Sequence, residues 1–184
     1  DVCPAGAITV AGDHVAIDPA ICGGCGMCGA VCPSGAAQTA FPPIDGSLTS
    51  LANLLHYYGE AGGTAAQLLL HDGQWGGEMI DMLARYGRGL PAALIPYEMH
   101  SVGRVGHDLL AGAVTLGFER VFVLMDPRKG PEYASLHQQI ELAEALLTGT
   151  GVASKNRFVL IDESDPNEVE QIFWQKAKTS KYTP

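Results

Sequence analysis

Beyond residue 44, hydrophobic positions alternate between helical periodicity and short apolar runs. Leu48, Leu51, Leu54, Leu55 and Tyr58 recur at helical spacing and predict a helix closed by Gly62-Gly63. Ala66 to Leu70 reads as a short buried strand, and Met79, Ile80 and Leu83 define one face of a helix from about Gly77 to Tyr86. Ala92 to Tyr97 predicts a second strand, which Pro96 places at a sheet edge or strand end. A helix near 103–116 ends at Gly117, and Arg120 to Met125 is the clearest β-branched strand. A long helix over roughly 132–148 turns Leu136, Ile140, Ala143 and Leu147 inward, and Arg157 to Ile161 makes a fourth strand. Asp165 is a fitting N-cap for a last helix, with Pro166 at its first position and Glu168 completing a capping box.

Four strands alternating with helices imply a parallel sheet covered by helices. Residues 44–184 are therefore expected to form an α/β domain, flavodoxin-like or Rossmann-like, long enough to bury a core of its own. Phe41 to Gly46 is a cluster of breakers and the best linker candidate. Residues 1–40 follow another pattern. Ala7 to Val10 and His14 to Asp18 flank a Gly12-Asp13 turn and read as a short hairpin.

All five cysteines lie in that first part: Cys3-Pro4, then Cys22-x2-Cys25-x2-Cys28-x3-Cys32-Pro33. An odd number, confined to one end, argues against a disulfide framework. The tight x2, x2 rhythm lets one loop offer three thiolates to three corners of a cube, with a fourth ligand arriving from elsewhere. Zinc favours two separated Cys-x2-Cys knuckles, and remains the alternative for these thiols. Gly23, Gly24, Gly26 and Gly29 fit a loop whose N–H groups approach sulfide closely, and Val2, Ile8, Ile21 and Val31 are the expected apolar cover.

Residues 1–36 resemble the second half of a bacterial two-cluster [4Fe-4S] ferredoxin, in which each C-x2-C-x2-C-x3-C-P run gives three ligands to one cluster and its fourth cysteine to the other. The resemblance implies that Cys22, Cys25 and Cys28 bind one [4Fe-4S] cluster with Cys3 as its fourth ligand. It also implies that Cys32 serves a second cluster whose other three ligands are absent from this chain. The α/β part is similar, more distantly, to the delta subunit of methyl-viologen-reducing hydrogenases, most of all over Leu94 to Gly117 and Arg120 to Met125. That family carries cysteines after successive strands. Here His71-Asp72, Met99-His100 and Met125-Asp126 stand there instead, so this resemblance implies a redox assembly and transfers no site residue.

Charge changes the picture further. Lys and Arg number 11 against 20 Asp and Glu, and no base precedes Arg85. The eight acids of residues 1–84 leave that half at −8 and the rest at −1. This excludes a nucleic-acid surface, which needs bases to neutralise phosphates, and predicts a basic docking face on any redox partner. No apolar run approaches the ~18 residues of a membrane span. The opening Asp1-Val2-Cys3-Pro4 has no initiator Met or signal-like segment, which leads us to expect part of a longer polypeptide.

Elsewhere, chemistry is sparse. Gly87 to Ala92 matches G-x-G-x-x-A but follows a helix and precedes a strand, the reverse of a dinucleotide fingerprint. No P-loop, serine elbow or nucleophile–base pair is found, His56 and His137 read as surface or packing residues, and His100 and His107 stay ambiguous. Polar loops at the strand ends, around His71–Gly77, Glu98–Ser101, Asp126–Gly130 and Asp162–Ser164, are where a ligand would bind. The Lys176, Lys178 and Lys181 cluster is expected to be a solvated terminus. The leading expectation is a cytoplasmic [4Fe-4S] electron-transfer module of a larger oxidoreductase or redox complex, with the α/β domain as docking module and electron transfer ranked above catalysis for this chain. The alternative is a redox enzyme whose α/β domain binds a flavin or nucleotide at those loops.

Overall fold

The computed structural model describes residues 2–153 and 155–177. In chain order the elements are β1 (Ile8–Ala11), β2 (His14–Ile17), α1 (Met27–Val31), α2 (Ile44–Glu60), β3 (Gln67–Asp72) and α3 (Trp75–Tyr86). They continue with β4 (Leu94–Met99), α4 (His107–Leu116), β5 (Arg120–Leu124), α5 (Ala134–Gly149), β6 (Phe158–Ile161) and α6 (Pro166–Lys176). Short 3-10 segments, Val102–Arg104 and Pro127–Tyr133, precede α4 and α5.

The larger part is an α/β sandwich. Its four-stranded sheet is parallel throughout, in the order β4-β3-β5-β6. Numbered within the sheet this is 2-1-3-4, compatible with a flavodoxin-like or Rossmann-like arrangement. Strand periodicity divides the side chains between two cores. Leu68, Leu70, Val121 and Val123 face one side, where Leu51 of α2, Leu110 and Ala113 of α4 and Leu136, Ala143 and Leu147 of α5 cover them. Leu69, Phe122 and Leu124 face the other, against Met79 and Leu83 of α3 and Val169 and Phe173 of α6. Pro96 sits on the edge strand β4, where its missing N–H breaks no ladder.

Some expected boundaries move. The breaker cluster is only half a linker, because Ile44 to Gly46 already form the first turn of α2 after Pro43 as its N-cap. The 3-10 segments take the residues expected to begin α4 and α5, and β3 and β4 run two residues past their expected ends. At α6, Asp165 accepts from Asn167 N at 2.9 Å as the N-cap should, but the reciprocal partner is not Glu168. Glu163 Oε1 accepts from Asp165 N at 2.9 Å instead. Lys176 closes α6, while Lys178 and Lys181 lie outside the described residues.

Residues 2–40 carry a separate two-stranded sheet and α1. β1 and β2 pair antiparallel around Gly12, whose φ of 69° suits the tight turn. This part packs on the 3-10 segment and the start of α4. Met27 lies over Gly103, where a Cβ would come within 2.8 Å of its Cγ, and Ala30 lies over Gly106, where a Cβ would come within 3.1 Å of its carbonyl oxygen. Arg104 crosses the seam: its Cβ lies 2.9 Å from where Gly26 would carry its own, and its Nη2 donates to Pro42 O at 2.8 Å.

Candidate metal centre

The hairpin returns the chain from Cys3 to the cysteine loop through three hydrogen bonds. Ala7 N donates to Cys3 Sγ at 3.3 Å. Asp18 N donates to Ala7 O at 2.9 Å, and Cys22 N donates to Asp18 O at 2.9 Å. Cys3 and Cys22, nineteen positions apart, are thereby tied to the two ends of one ribbon. The Ala7 N–H, with smaller help from neighbouring amides, holds the Cys3 thiol below its usual pKa. Backbone N–H groups aimed at sulfur favour thiolate, the form that binds metal.

Cys22 and Cys25 occupy the loop before α1, and Cys28 lies in its first turn. Burial pushes the Cys28 thiol up, with smaller contributions in the same direction from the neighbouring Cys25 and Cys22. Gly24, with φ of 68°, gives the loop a turn with open space around it.

Cys32 is the C-cap of α1. Its Sγ accepts from Ala37 N at 3.4 Å and lies 3.5 Å from Ser34 Oγ. The Ala37 N–H first, then the Ser34 hydroxyl and N–H, lower its pKa to about 7.

None of the five cysteines forms a disulfide. Among the described residues, no three His, Cys, Asp or Glu side chains converge as a metal ion would require. Backbone N–H groups reach the Cys3 and Cys32 sulfurs, and the five sulfurs are not closed around a common centre. The expected apolar cover is incomplete. Ala7, Met27 and Ala30 are buried, Val2, Ile8 and Val31 are half-buried, and Ile21, in the turn before Cys22, is exposed.

The strand ends of the α/β part hold polar residues with local duties. His71 and Asp72 are buried as the last residues of β3, not placed in a loop. His71 Nδ1 donates to Asp72 O at 2.9 Å, and Asp72 Oδ1 accepts from Gly76 N at 2.9 Å at the start of α3. Asp126 is buried and accepts from Arg128 N, Nε and Nη2 at 3.0, 2.8 and 2.8 Å. The Arg128 guanidinium holds the Asp126 carboxyl below the usual range. The Asp-Pro-Arg spacing is the sequence signal for this turn. A second pairing, with no local sequence signal, joins Arg88 to Glu170 and sets Arg88 4.8 Å above the Trp174 ring. His56 and His137 are exposed, as the helical pattern implies.

A cavity of about 340 Å³ separates the Cys32 loop from α2 and α4. His107 borders it. Its backbone N donates to Gln139 Oε1 at 3.1 Å, and its Nδ1 lies 2.8 Å from the same oxygen.

Comparison with protein-family models, curated proteins and solved structures returned no match for this chain. The α/β architecture rests on its own strand order and cores, and the cysteine segment on its own spacing and hydrogen bonds. Among the described residues no helix is long and apolar enough to cross a membrane.

Proposed function

We propose that this chain is an iron–sulfur electron-transfer module of a larger oxidoreductase. Cys3, Cys22, Cys25 and Cys28 hold one [4Fe-4S] cluster, and Cys32 contributes to a second whose other ligands come from outside residues 1–184. The observation that carries this reading is the hydrogen-bonded ribbon tying Cys3 to the Cys22-x2-Cys25-x2-Cys28 loop. Such a cluster takes up and releases single electrons, and amide–sulfur hydrogen bonds tune its potential. The chain's own residues supply the thiolates, orient them and cover them in part with Ala7, Met27 and Ala30. The α/β unit serves as docking module, and a basic redox partner suits the base-free first half of the sequence.

The flavin or nucleotide reading has less support, because the buried strand-end acids Asp72 and Asp126 already cap the turns that follow them. Anaerobic reconstitution with iron and sulfide tests the proposal. The expected result is bound iron with labile sulfide and an EPR signal that appears on reduction. A chain holding one zinc and no reducible cluster would overturn it.

A further inference from the structure

The two-stranded ribbon β1–β2 carries an apolar face that is largely exposed among the described residues. Ile8 pairs with Ile17 and Val10 with Val15 in the antiparallel register, and residues two apart point to the same side. All four side chains therefore share one face. Val10 is 84%, Val15 62% and Ile17 41% exposed, and Ile21, just beyond β2, is 51% exposed. A lone two-stranded ribbon is marginal in water, and contiguous exposed apolar surface marks an interaction site. The ends of the strip are acidic. Asp13 stands at the turn and Asp18 follows β2, with no Lys or Arg anywhere in residues 1–84 to offset them.

We infer that this face is the docking surface for a partner protein whose contact patch is apolar at its centre and ringed by lysine and arginine. Charge complementarity selects this occupant over a second copy of the chain, whose identical ribbon would bring Asp13 and Asp18 against their own kind. The ribbon begins five residues after Cys3 and ends five before Cys22, so a partner seated on it lies next to the proposed cluster ligands. The redox role of the partner rests on the electron-transfer reading; the docking itself does not.

The test uses the full chain and cytochrome c, a basic one-electron acceptor, as probe. Binding to the oxidised probe is followed by calorimetry at low salt, with no electron transfer required. Val10→Thr/Val15→Thr keeps β-branched side chains but puts hydroxyls at the centre of the patch, and is expected to weaken binding about tenfold. Asp13→Asn/Asp18→Asn is expected to weaken it and flatten its salt dependence. Leu142→Thr/Leu146→Thr, which alters exposed leucines on α5, is expected to leave it unchanged. No binding by the wild type, wild-type binding by the valine variant, or equal loss in the α5 variant would overturn the proposal. So would a dimer in sedimentation that the valine variant dissolves, since a second copy would then own the face. Iron content measured on the same samples reports separately on the electron-transfer reading: docking at the ribbon without a cluster would leave the inference standing and sink that reading.

Discussion

The α/β unit and the cysteine segment solve the same problem with unequal means. The α/β unit has a sheet whose middle strands are apolar on both faces, and each face meets its own layer of helices. The cysteine segment buries only Ala7, Met27 and Ala30 among its apolar side chains and leaves a valine-rich face in water. A body of about forty residues cannot build a sufficient core and needs a staple. Two are at hand. One is the seam with the α/β unit at Gly103, Arg104 and Gly106, and the other is the set of thiols. On the proposed reading, a cluster held by these cysteines would staple the segment as well as carry electrons.

The strongest way to break the comparison is Phe122→Ala. Phe122 is fully buried and meets Phe173 edge-on at 6.0 Å, so its loss is expected to cost about 3–5 kcal/mol and to unfold both bodies together in denaturant. A core-free segment that kept its protection after the sheet had melted would contradict the account. Gly103→Val is expected to act on one body alone. A side chain there collides with Met27, costing about 1–3 kcal/mol. Hydrogen exchange should quicken across residues 2–40 while β3, β5 and β6 keep their protection.

Smaller effects sharpen the contrast. Asp126 has its folded pKa depressed by Arg128, so the ionised carboxylate stabilises the fold at neutral pH. That stabilisation is lost as pH falls from the ordinary carboxylate range through the depressed value. Arg128→Gln should lower Tm at neutral pH, with the difference closing in acid. The smallest effect is chemical. With its pKa near 7, Cys32 is about half thiolate at neutral pH, whereas burial holds Cys28 back. Iodoacetamide at pH 7 is expected to label Cys32 before Cys28 in the metal-free chain, as peptide mass mapping would read.

Much of this is legible in the residues. Periodicity locates all four strands of the sheet, Pro96 marks its edge strand, and Gly12-Asp13 locates the hairpin turn. Cysteine spacing singles out the candidate site because thiol rhythm is local. The seam is not legible, since Met27 meeting Gly103 joins residues that no periodicity relates. The end of β3 escapes the pattern because His71 and Asp72 are polar yet buried, each satisfied by a neighbour's backbone. Ile21 has the chemistry of an inside residue, but burial depends on what packs opposite, and among the described residues it stays half exposed.

The most direct measurement is iron and acid-labile sulfide per chain after anaerobic reconstitution, made in parallel on wild type, Cys32→Ser and Cys25→Ser, with hydrogen exchange on each. The account predicts about four iron and four sulfide in wild type and Cys32→Ser. It also predicts protection of residues 2–40 that appears with the cluster and is lost in Cys25→Ser. A segment equally protected in all three, or a wild type that binds a single zinc, would contradict it.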